Sequence, residues 1–144
     1  MSSRRSTSSS SAHAQPKNMI TRAQVDELER LIGQLGGLHT EMSVLLKKST
    51  TDAVNDFKLG LINAVLQRCN ELFGKKFRPF EDFEQFQRDN VPSNSDATFI
   101  LSQYMQAAEK FRADHITQDA LGRWSYETPN GEKIRTAPPA KLKG

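Results

Sequence analysis

From residue 25 to residue 46 the chain repeats a spacing of three and four: Val25, Leu28, Ile32, Leu35, His39, Met42 and Leu46. All but His39 are apolar. That alternation marks one face of an α-helix held over six turns, and little else satisfies it. Leu31, Leu38 and Leu45 add a row at intervals of seven. They make the face broader than a bare two-stranded zipper. Thr21 is placed to cap the helix start. Asp26, Glu27 and Glu29 near the start, with Lys47 and Lys48 at the end, complement the helix dipole. Gly33, Gly36 and Gly37 interrupt the run, each costing a helix about 1 kcal/mol relative to Ala. The unbroken seam predicts a helix that continues through them, bent or closely approached by another backbone. The seam can close on the rest of the chain or on a second copy, and His39 within it is a candidate pH-sensitive position.

Ser49-Thr50-Thr51-Asp52 reads as a turn with a new N-cap. A second helix follows to about Phe73, with Val54, Phe57, Leu61, Ile62, Val65, Leu66, Cys69 and Leu72 in a wide apolar stripe and Gly74 as its stop. So short a connection predicts an antiparallel helical hairpin. Pro79, then Glu81 and Asp82, suit the first turn of a short helix, on which Phe80, Phe83 and Phe86 would share one side. Ser93 with Asp96, or Ser95, caps a third long helix whose inner face holds Ile100, Leu101, Tyr104, Met105, Ala108 and Phe111.

The C-terminal part changes period. Residues 123–128 and 132–136 flank Pro129-Asn130-Gly131, and Asn-Gly supplies the backbone freedom of a tight β-hairpin. Such a hairpin is marginal alone, so it must lean on the helices or on a partner. The expected fold is therefore mainly α: an antiparallel helical hairpin and a third long helix in a small bundle, a short Phe-rich helix, and a C-terminal β-hairpin. The expected organisation is a Ser/Arg-rich disordered tail over 1–19, the bundle over 20–116, the hairpin over 117–137 and a flexible basic tail over 138–144. Between Met1 and Met19 the first segment has no large apolar residue to offset its ordering entropy.

Charge narrows the function. The net charge of the 144 residues is +3. Residues 1–17 carry Arg4, Arg5 and Lys17 and no acid, while residues 117–144 carry five basic and three acidic side chains, which leaves the helical middle at −2. Phosphate binding needs concentrated positive charge, which the middle lacks. The one cysteine, Cys69, and three scattered histidines, His13, His39 and His115, give no metal-ligand spacing. No nucleophile elbow, phosphate loop or zinc-protease motif occurs, so neither a cofactor nor catalysis is expected. No apolar run reaches membrane-spanning length and no secretory leader is visible, so the expected setting is intracellular and cytoplasmic. The first expectation is a non-catalytic binding or assembly subunit, with a protein partner or self-association through its helical faces and hairpin. The alternative is a nucleic-acid-binding accessory protein that uses the basic tails with Trp124, Tyr126, Arg123, Lys133 and Arg135 of the hairpin.

Overall fold

A computed structural model describes residues 19–141. Residues 1–18 of the expected 1–19 tail, and the last three residues of the chain, lie outside the described residues. Three helices, α1 (Arg22–Lys48), α2 (Asp56–Phe77) and α3 (Asn94–Asp114), precede three short strands, β1 (Ile116–Gln118), β2 (Trp124–Glu127) and β3 (Lys133–Thr136). The protein is mainly α, as its periodicity requires.

Thr21 caps α1 reciprocally: its hydroxyl accepts from the Gln24 N–H, and the Gln24 side chain accepts from the Thr21 N–H. The helix runs unbroken through its three glycines. Asn55, rather than a residue of the 49–52 turn, caps α2. Gly74 takes φ +66 and kinks α2 one turn before its end. Ser93 caps α3 through the Asp96 N–H.

Cross-helix contacts fix the directions. Gln34 pairs with Arg68 and Glu41 with Lys58, so α1 and α2 run antiparallel. Asn70 meets Tyr104, and Phe77 meets Phe111 and His115, so α2 and α3 run parallel. Parallel neighbours demand a long return, and this explains a correction. The expected short helix with Phe80, Phe83 and Phe86 does not form; residues 78–93 are an irregular strap. Twenty-two residues make α2 about 33 Å long. The sixteen strap residues span that return easily when extended, at about 3.3 Å each, whereas every residue coiled into a helix advances only about 1.5 Å. The strap is instead clipped to α2 by side chains spaced seven apart. Asn70 donates to the Glu84 carbonyl (3.0 Å), Asn63 both donates to and accepts from the Phe86 backbone (2.9 Å each), and Asp56 pairs with Arg88. Asn63 and Asn70 are buried, so these bonds also satisfy the strap's backbone polar groups.

The hairpin is one part of a three-stranded antiparallel sheet in the order β1-β2-β3. In its turn the Gly131 N–H donates to the Thr128 carbonyl, and Gly131 takes φ +88. The sheet shares the core of the helices: Ile116 and Tyr126 belong to the same buried cluster as Leu28, Leu66 and Leu101. The segment after β3, expected to be flexible from residue 138, begins clamped to α3. Buried Arg112, paired with Glu109, donates to the Thr136 hydroxyl and to the carbonyls of Ala137 and Pro138; Glu109 accepts the Ala140 N–H.

Candidate functional site

The hairpin residues divide by strand alternation. Trp124 and Tyr126 share the inner face; Tyr126 is fully buried and Trp124 is half-buried against the core. Tyr126 therefore has no free ring face to offer a base. On the outer face, Lys133 stands opposite Glu127 and Arg135 opposite Ser125. Arg123 is exposed and bonded to Asp119 at 2.9 Å. The Arg123 N–H and guanidinium, with the Leu121 N–H, hold the Asp119 carboxyl below its ordinary range. Of the five, the three cations are exposed, Trp124 is half-exposed and Tyr126 is closed off.

Most of the α1 seam is taken up by the chain's own core. Val25, Leu28, Leu35 and Met42 are buried in the chain's own core; Ile32, His39 and Leu46 are half-buried at its margin. His115 is a core histidine: its Nδ1 lies 2.7 Å from the Phe111 carbonyl and its ring packs on Phe111 and Phe77. Cys69 is buried, which pushes its thiol up to about 12 and leaves it a poor nucleophile. A concavity of about 530 Å³ lies along the strap beside Glu81, Asp82, Glu84, Phe83 and Phe86. Among the described residues, no group of three or more His, Cys, Asp or Glu side chains converges as a metal site would require. No helix among them is long and apolar enough to cross a membrane.

What the surface does offer is apolar. Phe57 is 75% exposed, Leu61 46% and Val44 49%. Phe57 and Leu61 are one turn apart on α2. The Glu41–Lys58 and Gln34–Arg68 contacts set them alongside the α1 turns from Gly37 to Val44. Sequence periodicity assigned Phe57 and Leu61 to the core stripe of α2. That stripe spans too wide an arc for all of it to face inward, and these two sit at its outer edge. The width was the available signal. Comparison with known proteins adds no relative: no family model, no curated protein and no solved structure matches this chain.

Proposed function

We propose that this chain is a non-catalytic binding or assembly subunit that engages a protein through the outer face of α1 and α2. The observation that carries this reading is Phe57. A ring left three-quarters exposed, with Leu61 a turn away and Val44 on the neighbouring helix, loses free energy in water unless something covers it. Large aromatic side chains are also those that dominate the energetics of protein interfaces. The inward aim of Tyr126 favours this reading over nucleic-acid binding, which would have only Trp124 and the exposed cations to work with. The buried thiol of Cys69 suits an intracellular setting, which is part of the same proposal.

A photo-cross-linking side chain in place of Phe57, in the full chain within its native cell, tests the reading. A protein cross-linked at position 57 and lost on Leu61→Asp supports it. Equal yields with and without that second change count against it. Because Leu61 is partly exposed, Leu61→Asp is expected to cost only about 1 kcal/mol, chiefly helix propensity, so lost capture from a folded chain would report the surface.

A further inference from the structure

α1 carries a second stripe, opposite its seam. Asp26, Arg30, Gly33, Gly37, Glu41, Val44 and Lys48 step by 4, 3, 4, 4, 3 and 4, and every one of them is exposed. At 3.6 residues per turn they fall within one narrow arc of the helix, about 33 Å from end to end. The glycines here answer no need of the chain's own packing. A methyl placed on Gly33, Gly36 or Gly37 would meet nothing within 4 Å. The stripe thus carries two residues that weaken the helix, Gly33 and Gly37, on a side where its own fold does not use the space.

The stripe is symmetric about Gly37. Asp26 and Lys48 lie eleven residues to either side, Arg30 and Val44 seven, Gly33 and Glu41 four. A two-fold axis through Gly37 would lay α1 antiparallel on its own copy. Asp26 would then face Lys48 of the second copy, and Lys48 its Asp26. Arg30 would fall beside Val44 and within one turn of Glu41 on the second copy. The charges that meet are opposite at each end, and the two helices would approach closest where the glycines remove side chains. Phe57 and Leu61 flank this surface and would be drawn under it. The charges on the stripe have local partners already, Arg30 with Glu27 and Glu41 with Lys58, but these are surface pairs that a neighbour can share.

We infer that the partner of this face is a second copy of the chain, docked antiparallel along α1 about Gly37. This rests on the reading of the α1–α2 face as a binding surface, and names its occupant. A closed two-fold contact of this kind is self-complementary by construction, as charge and glycine placement both require.

Sedimentation equilibrium of the full chain across the micromolar range decides it. The wild type should be a concentration-dependent dimer. Gly37→Leu should weaken association by at least about tenfold while the monomer stays folded, since position 37 is exposed and a Cβ there meets nothing within 4 Å. Asp26→Lys should weaken it by about threefold, and Asp26→Lys with Lys48→Asp should restore it. A chain that stays monomeric, or a dimer indifferent to Gly37→Leu, overturns the inference. Such a result is separable from failure of the broader reading. If Leu61-dependent cross-linking at position 57 persists to another protein, only the self-pairing falls. If that cross-linking is also absent, both fall.

Discussion

Two stripes run the length of α1 with nearly the same spacing, and they end in opposite places. Val25, Leu28, Leu35 and Met42 are closed over by the core, and α1 packs more extensively on α3 than on α2. Asp26, Arg30, Gly33, Gly37, Glu41, Val44 and Lys48 face solvent. A spacing of three and four says only that side chains share a face of a helix. The composition of the face says where it goes: four large apolar members for the chain's own core, and charges around glycines for a surface. The difference teaches that the inside of α1 is used for folding, while its outside carries features that folding does not use.

Substitutions on the two sides should therefore part in sign and size. Leu35→Ala removes a fully buried side chain and should cost about 2–5 kcal/mol, read by urea denaturation. On α2, Asn63→Ala leaves the Phe86 N–H and C=O unclipped and should cost about 2 kcal/mol. Hydrogen exchange should then rise in the strap before it rises in α3, because the clip holds the strap and not the helix. Gly37→Ala, on the outer stripe, should do the reverse and stabilise the monomer by up to about 1 kcal/mol. A destabilising Gly37→Ala would show that something in the chain does need that space.

The smallest expected effect is electrostatic. The carboxyls of Asp119 and Glu132 are held below their ordinary values, the first by hydrogen bonds from Arg123 and Leu121, the second by Arg22. A depressed carboxylate adds stability above its unfolded pKa, and that contribution is lost as the pH falls through its folded value. Glu132 is exposed and Asp119 is half-exposed, so the loss should be slight. Carbon-detected NMR titration should place both below reference carboxylates, and Arg22→Ala should return Glu132 alone to the ordinary range.

The helices were legible because their signals are local. The Thr21 cap, the seam, the Ser93 cap and the Asn-Gly turn all act within a few residues of where they stand, and Gly74, read as the stop of α2, proves to be a kink after which the helix continues to Phe77. The strap was not, because its shape follows from the parallel packing of α2 and α3, a fact about two distant segments. Its local pattern, Pro79 followed by phenylalanines three apart, imitates a helix start. The spacing of Asp56, Asn63 and Asn70 did carry a signal, a polar row seven residues apart beside an apolar stripe, which apolar periodicity overlooks. Strand β1 is only three residues long, too short for alternation to register. For the surface, the sequence held the glycines in view, but whether they faced a neighbour or open space depended on how the rest of the chain packed.

The most direct test of the outer stripe is oxidative cross-linking of Gly37→Cys, in the full chain, beside Asp26→Cys. Cys69 is buried and does not compete. Position 37 on the axis should give a disulfide-linked dimer, since pairing there brings the two backbones within bonding reach. Position 26, far from the axis and from its own copy, should give none. Monomer at position 37, or equal cross-linking at both positions, would contradict a two-fold pairing of α1.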